Sequence, residues 1–143
     1  MLNDYAKFVD TTTSEASRKT MALANRILDI RGEYSYQPEQ DEVVEEVQVA
    51  RLMTAVIGMM AESGEFAEVV KKKVFQADSR FSESEIFHMK RELGDVLWYW
   101  VQGCMALGFT PEEVMTENIK KLEKRYPNGF EVARSETREV GDI

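Results

Sequence analysis

The stretch GMMAESGEFAEVVKKK, residues 58–73, decides how the chain is read. It has helical character, yet Glu62 falls where an amphipathic helix places an apolar side chain. At about 100° per residue, Ala55 and Val69 project some 20° either side of Glu62, Phe66 about 40° away and Glu65 about 60° away. A carboxylate among core positions is costly unless something compensates it.

The same oddity recurs in RELGDVLWYW, residues 91–100. Glu92 and Asp95 are one turn apart and share a face, with Val96 and Tyr99 within about 40° of Glu92 on the same face. Two helices therefore each carry an acid pair at i, i+3, Glu62/Glu65 and Glu92/Asp95. Packed antiparallel, as a short connection favours, they bring four carboxylates together. Two unit charges about 4 Å apart repel by about 4 kcal/mol at an effective dielectric near 20, so protons stay on or cations bind. Oxygen-only donors select hard ions, Mg²⁺ first and Mn²⁺ as a substitute. Gly58, Gly64 and Gly94 lie beside these acids at a cost of about 1 kcal/mol each in helix stability, which a close backbone approach would explain.

Around these helices the chain reads as helical throughout. Leu2 to about Asp29 forms helix in two parts, Tyr5, Phe8 and Val9 on one face and Met21, Ala24, Ile27 and Leu28 on the next, separated by a capping cluster at Thr11–Ser14. Arg31 to Gln40, with Gly32 and Pro38, reads as loop. The first central helix is expected from about Asp41 to Lys73, beginning with Val43, Val44 and Val47. Ser82 and Glu85 form a capping box for the second, which ends near Leu107 with Gly108 as stop. Thr110, Pro111 and Glu113 start a last helix that runs to about Tyr126.

Residues 1–126 are expected to form a single all-α domain, a bundle of four to five helices with a carboxylate metal site between the two central ones. Residues 127–143 are expected to be an irregular tail. Apolar residues on several faces of the central helices point to a homodimer or homotetramer.

The composition narrows the class. In 143 residues there are 43% hydrophobic and 31% charged residues, with a net charge of −8, as for a globular protein. The acidity opposes binding to a nucleic acid polymer. One cysteine, Cys104, excludes an internal disulfide framework. No signal peptide or long apolar run is read, so a cytoplasmic protein without membrane attachment is expected.

With E-x-x-E, then E-x-x-D, and a later NIKKLEKRY at residues 118–126, the chain resembles the MazG-like all-α nucleoside triphosphate pyrophosphohydrolases from about Val49 to Tyr126. The resemblance implies hydrolysis of a (deoxy)nucleoside triphosphate between its α and β phosphates. It maps the metal ligands and catalytic acids onto Glu62, Glu65, Glu92 and Asp95. It also assigns Asn118, Lys121 and Arg125, spaced i, i+3, i+7, to phosphate and sugar, although such a stripe is equally the form of a solvated helix face.

Lys72 and Lys73, about 20° from Glu65 and Glu62 on the helical projection, are candidate phosphate contacts or simple helix-terminal cations. Tyr99 is a candidate base or phosphate contact or a core residue. Glu68 reads as an outer ligand or a surface acid, and His88 as a base contact or, the better reading, a partly exposed helix residue. Two other classes compete with the hydrolase. Di-iron carboxylate bundles need E-x-x-H motifs on two helices, and a chain with one histidine cannot supply both. A non-enzymatic oligomeric adaptor with surface acids would show no response to divalent ions.

Overall fold

The computed structural model describes residues 2–30, 47–77 and 79–136. They form seven helices, α1 (Leu2–Thr12), α2 (Glu15–Arg18), α3 (Thr20–Ile30), α4 (Val49–Gln76), α5 (Glu83–Ala106), α6 (Pro111–Arg125) and α7 (Val132–Glu136). No strand occurs among the described residues; an isolated bridge joins Pro127 and Gly129. The all-α class follows. By internal contacts the chain divides into two compact units, Met1–Ala50 and Arg51–Ile143.

In the first unit, local hydroxyl chemistry breaks the helix. Thr11, Thr12 and Thr13 turn their side chains back onto the carbonyls of Phe8 and Val9, which satisfies terminal acceptors and ends α1. Ser14 then caps α2 by accepting from the Ser17 amide. Lys19, in extended conformation, separates α2 from α3, so the stretch is in three pieces rather than two. Arg18 donates to the Asp10 carbonyl at 3.1 Å and ties α2 to the end of α1.

In the second unit, α4 and α5 form an antiparallel hairpin. Its long helices contain no proline, which suits uninterrupted i→i−4 bonding. Val47 and Gln48 lie outside α4, so the helix starts later than the expected Asp41; residues 41–46, with Val43 and Val44, and the expected loop at 31–40 fall outside the described residues. At the other end α4 runs to Gln76, three residues beyond Lys73. α5 and α6 start as the capping signals indicated. Ser82 accepts from the Glu85 amide while Glu85 accepts from Ser82, and Thr110 and Glu113 do the same with Pro111 in the first turn. Gly108, at φ +78°, takes the left-handed conformation that turns the chain between them. The tail expected to be irregular holds the short helix α7.

Lys73 fastens the turn of the hairpin. Its ammonium lies 2.8 Å from the Glu85 carboxylate on α5, donates to Ser79 Oγ and the Arg80 carbonyl, and stands 5.8 Å over the Phe81 ring. Only 10% of the Lys73 side chain is exposed. Glu85 uses its second oxygen on the Ser82 amide at 2.7 Å. The Lys73 hydrogen bond first, then those from Ser82, hold its carboxyl at a pKa of about 2. Further along, Gly58 meets the Tyr99 ring and Gly103 faces Ala55, which is fully buried.

Candidate metal centre

Between these two anchorages the acids converge. Each step along α4 is matched by a step back along α5, so Gly58 opposite Tyr99 places Glu62, one turn on, opposite Asp95, one turn back. Ligand oxygens of Glu62, Glu92 and Asp95 all lie within 4.8 Å of one another, and so do ligand atoms of Glu65, His88 and Glu92. Glu92 belongs to both groups. All four carboxylates read from the sequence are thus brought together around one residue.

Burial and charge are unequal across the cluster. Glu92 is 6% exposed, the one charged residue counted as buried among the described residues. Glu62 is half-buried, and Glu65 and Asp95 are exposed. Desolvation raises the pKa of Glu62 above the usual glutamate range, and a hydrogen bond with Glu92 and the negative charges of Glu65, Glu92 and Asp95 add to it. Such a set fits a divalent cation, which would remove the repulsion and satisfy the buried carboxylate.

His88 is the residue that sequence reasoning did not group with the acids. Its Nε2 is 3.4 Å from Glu92 Oε1. The signal was there: His88 stands one turn before Glu92, where i, i+4 side chains meet.

The other candidates lie around the cluster rather than in it. Tyr99 packs its ring on Gly58 and edge-on to Trp98, with centroids 4.9 Å apart. Lys72 pairs with Glu68 at 3.1 Å on the surface, and this pairing lowers the Glu68 pKa. Lys73 is engaged at the hairpin turn, about 16 Å along the axis from Glu62 at 1.5 Å per residue. Asn118 and Lys121 are exposed and Arg125 half-buried on α6, which packs on α5; the Arg125 guanidinium lies 5.9 Å over the Tyr126 ring.

A family model described as "MazG nucleotide pyrophosphohydrolase domain" matches residues 50–130, a span that holds α5 and α6 entire, all but the first residue of α4, and every member of the cluster. "Gene 37 protein" of Mycobacterium phage L5 is 32% identical over 78 residues, 54% of this chain and 68% of that protein. No solved structure matches the chain.

Proposed function

The chain belongs to the MazG nucleotide pyrophosphohydrolase family, and on that premise we propose that it hydrolyses (deoxy)nucleoside triphosphates between the α and β phosphates with Mg²⁺ at the Glu62, Glu65, Glu92 and Asp95 cluster. Water adds at the α phosphorus, the bond to the bridging oxygen breaks, and nucleoside monophosphate and pyrophosphate leave. The observation that carries the reading is the convergence of both acid pairs on Glu92.

The chain's own groups divide the work. Glu62, Glu92 and Asp95 would hold the cation. When bound, it supplies positive charge for the triphosphate and lowers the pKa of a bound water. Glu65, on the exposed side, is placed to take the proton of the attacking water. Lys72 and the α6 stripe of Asn118, Lys121 and Arg125 would orient phosphate and sugar, where a guanidinium fork suits phosphate oxygens. Tyr99 would flank the base. Lys73 would serve indirectly, by holding the hairpin that sets the acids opposite one another.

The working unit in this reading is a homo-oligomer. Met53, Ile57 and Met60 line one stripe of α4, and Leu93, Leu97 and Trp98 stand on α5, all at least 40% exposed. Apolar surface on this scale marks an interface, and a second copy presents the same apolar residues in return.

The test is product analysis. Purified protein with Mg²⁺ and a panel of canonical and modified nucleoside triphosphates should release pyrophosphate and monophosphate. Release of orthophosphate, or activity that survives Glu62→Gln and Asp95→Asn, refutes the proposal.

A further inference from the structure

The two long helices give their hairpin unlike sides. Glu65 is turned about 60° from Glu62 on α4, and Asp95 by about the same angle, in the same sense, from Glu92 on α5. In an antiparallel pair such equal turns lead to one side, and both acids are exposed there. The opposite side carries the exposed apolar residues Val56, Leu93 and Leu97. The acid cluster therefore opens through the polar side, and a ligand reaches it from there. Along α5 on that side Tyr99, Asp95 and Arg91 follow at intervals of one turn. An aromatic ring, a cluster acid and a guanidinium thus stand in sequence, each step about 6 Å along the axis. Arg91 is exposed, and among the described residues no carboxylate pairs with it, although Asp95 is one turn away. Helical side chains lean toward the N-terminus, which carries this guanidinium away from Asp95 and toward the hairpin turn. Lys72, a cation of α4 on the same side, is already paired with Glu68.

We infer that Arg91 receives the β and γ phosphates, so that the substrate lies along α5 with its base toward Tyr99 and its leaving pyrophosphate toward the hairpin turn. The inference rests on reading the chain as a nucleoside triphosphate pyrophosphohydrolase with the α phosphorus at the acid cluster. In such a substrate the base lies on one side of the α phosphorus and the two outer phosphates on the other. Tyr99 and Arg91, one turn either side of Asp95, match that division in kind and in order. Cleavage moves the bonding electrons onto the bridging oxygen, so negative charge grows on the pyrophosphate as it leaves. A guanidinium is always charged, and its fork meets two phosphate oxygens at once. Charge placed in advance where negative charge develops favours the breaking bond. An arginine without an ion pair suits this role, because no existing contact has to be broken first.

The experiment uses the full chain in Mg²⁺ and compares the two products as ligands, by calorimetry, for wild type and Arg91→Gln. Inorganic pyrophosphate should bind the variant about tenfold or more weakly, while the monophosphate of the best-cleaved nucleotide stays within about twofold. The monophosphate is read on the same variant, so its retained binding reports an intact fold and cluster. In turnover, kcat/KM for the triphosphate should fall by about tenfold or more. Unchanged pyrophosphate affinity in Arg91→Gln, or an equal or greater loss for the monophosphate, overturns the inference; release of pyrophosphate by the wild type then leaves the proposed reaction standing. A wild-type protein that binds neither product overturns both.

Discussion

Replacing Gly58 by alanine tests the register on which the metal centre depends. A Cβ at this position would stand 2.5 Å from Cγ of Tyr99 and nearer still to Cδ1 and Cε1. That is more than about 1 Å inside the ~3.5–4.0 Å at which carbon atoms pack. The obstacle is a ring held against Trp98, so relief requires ring or backbone movement. Overpacking of this kind costs about 1–3 kcal/mol, while alanine for glycine inside a helix gains about 1 kcal/mol. The net effect lies between neutral and about 2 kcal/mol destabilising, and a single variant therefore decides little. The cycle with Tyr99→Ala decides. Without the ring, Gly58→Ala should stabilise by about 1 kcal/mol, so the two changes should couple by about 1–3 kcal/mol in urea unfolding. Gly58 is one turn from Glu62 and Tyr99 one turn from Asp95, so the clash should also weaken Mg²⁺ binding. Each tenfold loss removes about 1.4 kcal/mol of stabilisation at saturating metal. Coupling below about 0.5 kcal/mol, within ordinary additivity, would refute the reasoning.

Three further outcomes follow from charge and surface. The folded chain holds the Glu62 proton more tightly than the unfolded chain does, so ionising Glu62 opposes folding, and metal-free stability should decline as pH rises from the ordinary glutamate range through the raised value. Glu62→Gln should flatten that decline in urea midpoints measured from pH 4 to 7, and an unchanged profile counts against the cluster. Glu85 has the opposite sign. With its pKa lowered from 4.5 to about 2 by Lys73 and Ser82, its contribution is present above pH 4.5 and lost as pH falls toward 2, so Glu85→Gln should be less stable than wild type at pH 7 and approach it near pH 2 in acid unfolding followed by circular dichroism. Finally, Leu97→Glu, on a residue 57% exposed in the single chain, should shift sedimentation to the monomer with helicity intact; a monomeric wild type, or an unaltered assembly in the variant, excludes this face as the subunit contact.

What the sequence disclosed and what it hid divide along a physical line. Helix starts made by local chemistry were legible: Ser82 with Glu85, and Thr110 with Pro111 and Glu113, form the caps their spacing announced. The start of α4 was not, because no capping residue marks it and the valines at 43, 44 and 47 prolong the apolar pattern into a segment whose described end, Val47–Gln48, is not helical. The five residues of α7 are too few to show a period. The acids were legible because a polar residue in an apolar stripe is conspicuous on one helix. Lys73 shows the limit of that method. A helical projection puts it about 20° from Glu62 but suppresses the axis, along which the two are about 16 Å apart. The glycines show another limit, since close approach applies at Gly58, whereas nothing lies within 4 Å of a Cβ at Gly64 or Gly94.

Taken together, these placements explain how one hairpin tolerates the cluster. Carboxylates facing each other across two helices push the helices apart, and the push is greatest when metal is absent. The acids lie between two fastenings: on one side the Lys73 ammonium, nearly buried between Glu85 and the turn, and on the other the ring of Tyr99 seated on Gly58, with Ala55 opposite Gly103 beyond it. A fastening on one side alone would let the hairpin splay from the other. Fastened on both sides, the acids are left the choice of keeping a proton, as the raised pKa of Glu62 records, or accepting a cation. Lys73 and Gly58 therefore shape the site without touching a ligand, because they deny the acids the third course of moving apart.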